Sequence, residues 1–106
     1  MRRGEIWWAE LPPPVGRRPV VLLSRDEAYA VRTQVTVAPV TTRIRRIPVE
    51  VALGPEDGLP ERCVVNLDSI VTIPIADLQQ NIAALRPEKI KQFEKAVCFA
   101  FGISER

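Results

Sequence analysis

GRRPVVLLSR, residues 16–25, sets a turn glycine, two arginines and a proline in front of an almost wholly apolar run. Val20 to Leu23 offers no polar face, so as a strand it must be covered on both sides and belongs near the centre of a small β-structure. A proline cannot donate to a ladder but is tolerated at a strand's first residue. Pro19 therefore reads as the strand's start and Arg18 as the residue just before the sheet, held extended by the proline next to it. Arg18 is then either a strand-end arginine snorkelling into water or an anion clamp whose guanidinium matches phosphate with a fork of donors. The stretch alone admits both.

On its N-terminal side, EIWWAEL (5–11) is rich in strand formers and PPP (12–14) stops it. The loop 12–17 contains Gly16 and three prolines, so it should present Arg17 and Arg18 with little conformational freedom to lose on binding. On the C-terminal side, RDEAYAVRT (25–33), where Ala28 to Val31 could form a helical turn or an irregular loop, is read as a loop. QVTVAPVTT (34–42) reads as a strand with Val35 and Val37 on one side and Thr36 and Ala38 on the other. Pro39 predicts a bend or bulge where Thr41 and Thr42 emerge. After the basic loop RIRR (43–46), IPVEVAL (47–53) alternates Ile47, Val49, Val51 and Leu53 with Pro48, Glu50 and Ala52, the pattern of a half-buried strand. GPEDGLP (54–60) is turn chemistry. In RCVVNLDSIVTIP (62–74), alternation puts Cys63, Val65 and Leu67 on one face and Val64, Asn66 and Asp68 on the other. IADLQQ (75–80) suggests a single helical turn and NIAAL (81–85) a short last strand. From Pro87 the period changes: Ile90, Phe93, Val97 and Phe101 recur at three and four residues and Gly102 supplies a stop, predicting a terminal helix.

Five or six short strands and one helix describe an α+β domain on a small, strongly bent antiparallel sheet or partial barrel, with residues 1–106 forming a single domain. A composition of 46% hydrophobic and 26% charged residues is that of a globular protein. No apolar run approaches the roughly 20 residues of a membrane span, and Glu5 and Glu10 bracket too short an apolar stretch for a secretory signal. The expected location is the cytoplasm. Cys63 and Cys98, among apolar neighbours, suit buried thiols better than a disulfide or metal site, and a chain without histidine makes a zinc site an unlikely design. Exposed strand edges and the adjacent Trp7 and Trp8 suggest a partner, most simply a second copy of the chain. The tryptophans themselves read as core and dimer contacts.

The net charge is only +2, yet arginines crowd the first half while all the lysines (Lys89, Lys91, Lys95) lie in the terminal segment. Such an arginine-rich half attracts phosphate backbones, although loop arginines are often only solvated charge. If the strand ends converge, Arg18, Thr41 and the Asn66/Asp68 pair would place a guanidinium, a hydroxyl and a carboxylate around one anion-attracting surface. The absence of histidine excludes paired-histidine ribonuclease chemistry and any Ser/His or Cys/His nucleophile. Metal-free phosphoryl chemistry by electrostatics remains, or plain binding.

In order along the chain, RRGEIWWAEL, GRRPVVLLSRD, VTVAPVTT and CVVNLDSIVTI resemble the MazF/PemK (Kid) family of toxin endoribonucleases, from Arg2 to about Leu85 with the helix in the expected place. The resemblance implies a CcdB/PemK-like fold, an SH3-like antiparallel β-barrel with a C-terminal helix, assembled as a homodimer. It further implies metal-independent, cofactor-free cleavage of single-stranded RNA at short motifs, leaving a 2′,3′-cyclic phosphate and a 5′-hydroxyl, and a MazE-like antitoxin with an acidic disordered tail. The family's catalytic arginine, directly before proline, falls on Arg18; its threonine, after valine-proline in the third strand, falls on Thr41; an aspartate used by some members falls on Asp68. Arg17, Thr42, Arg43, Arg45, Arg46, Asn66 and Ser69 are the accompanying candidates for RNA contacts. The 12–17 loop is shorter than in many members and lacks their glutamate, glutamine and histidine. Ser69 stands where a glutamine is usual, and Asn66 where some members carry arginine. Two other readings use the same fold: a CcdB-like gyrase poison, whose aromatic-glycine-isoleucine tail Phe101, Gly102 and Ile103 faintly resemble, and an SH3-like module binding a peptide at Trp7 and Trp8.

Overall fold

Val20, Val21 and Leu22 lie in β2 (Gly16–Leu22) and none exposes any surface to solvent. The computed structural model describes residues 1–104. In it β2 runs between β1 (Glu5–Leu11) and β3 (Gln34–Thr41). Val20 and Leu22 join one core cluster with Ala9, Leu11, Val35, Val37 and Ile73, whereas Val21 joins a second with Ile6, Ala38, Val65, Leu67 and Phe93. Two cores on the two faces of one strand are what a run without a polar side requires.

The strand begins earlier than Pro19 suggests. Gly16, Arg17 and Arg18 already pair with Leu11, Glu10 and Ala9 of β1. Proline is tolerated inside β2 because pairing with β3 starts only at Val20, so the ladder at Pro19 runs on one side alone. Arg17 and Arg18 are thus strand residues on opposite faces, not members of the turn.

β3 changes partner along its length. Gln34 to Val37 pair with β6 (Val71–Pro74), and Val40 and Thr41 pair with β5 (Cys63–Asn66), with Pro39 in the interval. The bend expected at Pro39 is this changeover. β4 (Glu50–Leu53) pairs with β5, and β7 (Leu78–Ala84) with β1, giving the order β4-β5-β3-β2-β1-β7 with every pairing antiparallel. β4 and β7 do not pair, so the sheet stays open where a barrel would close. The β4 edge is covered instead: Lys89 of the terminal helix donates from Nζ to the Ala52 carbonyl and lies 3.8 Å from the buried Asp57 carboxylate, which accepts the Gly54 N–H at 3.1 Å. A lysine on an edge carbonyl blocks addition of a further strand.

The helices are α1 (Ala28–Val31), a single turn, and α2 (Pro87–Phe101). α1 replaces the expected loop because Ala28 is buried and Tyr29 donates to the Ser24 carbonyl at 3.0 Å; burial and then the nearby Asp26 charge push the Tyr29 phenol up to about 12. α2 starts on Pro87 and ends on Gly102 at φ 67, the left-handed position glycine favours. Phe93, with no exposed surface, anchors it to the core, a burial worth roughly 2–3 kcal/mol. Phe101, read from periodicity as part of that apolar face, is instead exposed, as are Phe99 and Ile103. Two strand boundaries also differ. Ile47 is exposed and the chain turns through the Ile47 carbonyl before β4 begins. β7 starts three residues before NIAAL, after a 3-10 turn at Ile75–Asp77. Cys63 is buried and Cys98 half-buried, both free thiols. No described helix is long and apolar enough to cross a membrane.

Candidate active site

Thr41 ends β3 and Asn66 ends β5, and the pairing of Thr41 with Val64 and Val40 with Val65 brings these strand ends together beside Arg18 of β2. Arg18, Pro39, Thr41, Arg43, Arg45, Asn66 and Ser69 line a cleft of about 190 Å³. Arg18 is half-buried, and its Nε is buried with no hydrogen-bond partner among the described residues. An unpaired buried donor is uncommon and calls for a reason.

The other polar groups are oriented by their neighbours. Thr41 Oγ1 accepts the Arg43 N–H at 3.1 Å, which leaves its own proton free to donate. Asn66 Oδ1 accepts the Asp68 N–H at 2.8 Å, so its Nδ2 donors are left for the cleft. With Ser69 the lining offers guanidinium, hydroxyl and amide donors and no carboxylate, and among the described residues Arg18, Arg43 and Arg45 are in no ion pair. Such a donor set matches the non-bridging oxygens of a phosphate. Among the described residues no three His, Cys, Asp or Glu side chains converge as a metal site would need.

Several candidates lie elsewhere. Arg17, on the other face of β2, stacks over the Trp8 ring at 4.2 Å and donates from Nε to Gln79 Oε1 at 2.7 Å. Arg46 is exposed at φ 58 and does not line the cleft, although Arg45 beside it does. Thr42 lines a neighbouring apolar cleft, also about 190 Å³, with Trp8, Pro19, Thr41, Leu59 and Cys63. Asp68 is exposed in the turn after β5 and its carboxylate is not part of the cleft wall. The strand ends at Asn66, so the alternation that would have put Asp68 on the same face is lost at Leu67. Asp68 instead orients Asn66 through its backbone N–H.

Some participants were not evident from sequence. Trp7 packs against the core and donates from Nε1 to Glu5 Oε1 at 2.9 Å, whereas Trp8, read with it as a core and dimer contact, lines the apolar cleft. Cys63 lines that cleft too. Burial, then the Asp57 charge, pushes its thiol up to about 11, which keeps it protonated and a poor nucleophile at neutral pH. Glu50 accepts the N–H groups of Arg45 and Arg46 on Oε1, at 3.0 and 2.9 Å. Its place in an alternating strand signalled only a polar face.

Fold and cleft together define a small α+β domain whose strand ends bring three arginines, two hydroxyls and an amide to one cleft. Residues 2–101 match the family described as PemK-like, MazF-like toxins of type II toxin-antitoxin systems, and the chain belongs to that family. It is 41% identical over 103 residues to the probable endoribonuclease MazF5 of Mycobacterium tuberculosis, covering 96% of this chain and 90% of the relative. To endoribonuclease MazF3 of the same organism it is 36% identical over 86 residues, 81% of this chain and 84% of the relative. Among solved structures, the Mycobacterium tuberculosis toxin MazF-mt6 matches with a TM-score of 0.89 at 34% identity, over 95% of this chain and 99% of that one. A mycobacterial endoribonuclease in complex with its cognate antitoxin matches with a TM-score of 0.87 at 25% identity, over 100% and 99% of the two chains.

Proposed function

We propose that this protein is the toxin of a type II toxin-antitoxin pair, an endoribonuclease that cuts single-stranded RNA at short sequence motifs and so inhibits translation and growth. The observation that carries this reading is the convergence of Arg18, Thr41, Arg43, Arg45, Asn66 and Ser69 on one cleft whose lining holds no carboxylate. RNA supplies its own nucleophile. The 2′-oxygen attacks the adjacent phosphorus, the bond from phosphorus to the 5′-oxygen breaks, and the products are a 2′,3′-cyclic phosphate and a 5′-hydroxyl, with the 2′-hydroxyl proton lost and one gained by the leaving oxygen. Arg18 and Thr41 donate to the oxygens on which charge grows, and Arg43, Arg45, Asn66 and Ser69 hold the phosphate in place. The cleavage is metal-independent in this reading, since a lining without carboxylates gives a hard cation no anionic protein ligand. The apolar cleft that shares Thr41 takes a base next to the cut phosphate, with Trp8 as its aromatic wall.

The active form is a homodimer in the cytoplasm, a reading supported by the exposed Phe99, Phe101 and Ile103 as well as by family. Its antitoxin carries an acidic, disordered tail that competes with RNA for the same donors, so inhibition should weaken as salt rises. The direct test is incubation with a long RNA in chelator, beside a gyrase supercoiling assay. Cut RNA with unaffected supercoiling supports this reading; intact RNA with arrested gyrase supports a CcdB-like poison.

The loop arginines should divide by position. Arg45→Ala should weaken RNA binding and shallow the slope of log affinity against log salt by about 0.7, one phosphate contact on a single strand, without changing the cut motif. Arg46→Ala, outside the cleft, should have the smaller effect. A changed motif at unaltered affinity in the Arg45 variant would contradict a backbone role.

A further inference from the structure

Glu50 opens β4 and faces Asn66 across the β4–β5 ladder, so both side chains leave the sheet on one side. Its Oε1 holds the backbone N–H groups of Arg45 and Arg46, the residues on either side of the point where the loop divides: Arg45 enters the cleft, and Arg46, at φ 58, turns away. Residues 43–49 belong to no helix or strand. The second oxygen, Oε2, is buried with no partner among the described residues. A carboxylate kept half-satisfied inside a basic loop costs stability and also repels the anion the cleft receives. Neither effect favours its presence unless it does something for the loop.

We propose that Glu50 is a positioning residue: it clips the 43–46 loop to the sheet so that Arg43 and Arg45 converge with Arg18 and Thr41 on one phosphate. The proposal rests on the RNA-cleaving reading above, but the clip itself can be measured without RNA.

The sign of one substitution separates positioning from charge. Removing a negative charge beside an RNA site tightens binding if charge is all that matters; losing the clip weakens it. Glu50→Ala should bind a labelled, fully 2′-deoxy oligonucleotide, which resists cleavage by the 2′-hydroxyl, about tenfold more weakly at 0.15 M salt, the size of one lost charge-assisted hydrogen bond. Glu50→Gln, which keeps an acceptor oxygen, should stay within about threefold. Adding Arg45→Ala to Glu50→Ala should cost much less than Arg45→Ala alone, because the arginine is already misplaced. By amide hydrogen exchange, Arg45 and Arg46 should be protected in the wild type and lose that protection in Glu50→Ala while β2 and β5 remain protected. Equal or tighter oligonucleotide binding by folded Glu50→Ala, full additivity with Arg45→Ala, or unprotected Arg45 and Arg46 amides in the wild type would each overturn the proposal. If the wild type binds neither this oligonucleotide nor an all-ribose RNA of the same sequence, the RNA reading fails, and the exchange experiment still decides whether Glu50 holds the loop. Should Glu50→Ala not fold, the wild-type exchange and Glu50→Gln binding decide it.

Discussion

Arg18→Ala is expected to lower the RNA cleavage rate by about 10³-fold or more, the range seen when a guanidinium or oxyanion donor that acts mainly in the transition state is removed. The reason is geometric. Arg18 stands on a strand fixed on one side by β1 and continued by three residues without exposed surface, so its backbone is set before RNA arrives. Its side chain lines the cleft and is in no ion pair among the described residues, so a phosphate that binds it displaces no competing carboxylate. Arg18→Lys should be nearly as impaired, because a compact ammonium on a flexible stem cannot reproduce a planar fork. The α2 helix and both cores are built from other residues, so circular dichroism and thermal melting of either variant should match the wild type. Single-turnover cleavage of a defined RNA checks the rate; a variant within tenfold of wild type would remove Arg18 from the chemistry.

Thr41→Ala should cost on the order of 10²- to 10³-fold in kcat, the loss expected for one transition-state hydrogen-bond donor. Thr41 has two tasks in the structure. Its oxygen accepts the Arg43 N–H at the start of the basic loop, and its proton is left free to donate into the cleft that the residue lines. Serine keeps both, so Thr41→Ser should retain most activity; valine keeps the shape and neither hydrogen bond, so Thr41→Val should fail like alanine. Comparable loss in the serine and alanine variants would assign the residue to packing.

The parts of this design legible in sequence are those with a strong local cause. The apolar run from Val20 to Leu23 read as a strand covered on both faces; Val20 to Leu22 are that strand's buried end and separate the two cores, while Leu23 lies just past it. The helical period from Pro87 to Gly102 gave α2 its true ends. Pro39 marked a disturbance, which proved to be a change of partner strand. What stayed hidden depends on contacts distant in sequence. Pro19 sits inside β2 because β3 joins the ladder one residue later, a fact of register that no local pattern carries. That register makes Arg17 and Arg18 neighbours in the chain on opposite faces, so only Arg18 reaches the cleft. Asp68 left the expected face because its own N–H turned back onto Asn66. The Glu50 clip is a side chain bonded to loop amides four and five residues before it, a pairing that strand alternation does not announce.

In the proposed reaction the substrate's own 2′-hydroxyl is the nucleophile, and the cleft of Arg18, Thr41 and the loop arginines holds the phosphate it attacks. The most direct measurement is end-group analysis of two RNAs cut in chelator, identical except for a single 2′-deoxy sugar on the 5′ side of the cut phosphate. The all-ribose RNA should give a 2′,3′-cyclic phosphate and a 5′-hydroxyl, and the substituted RNA should bind with similar affinity yet stay intact at that position. Cleavage of the 2′-deoxy site, or fragments carrying a 5′-phosphate, would contradict the account.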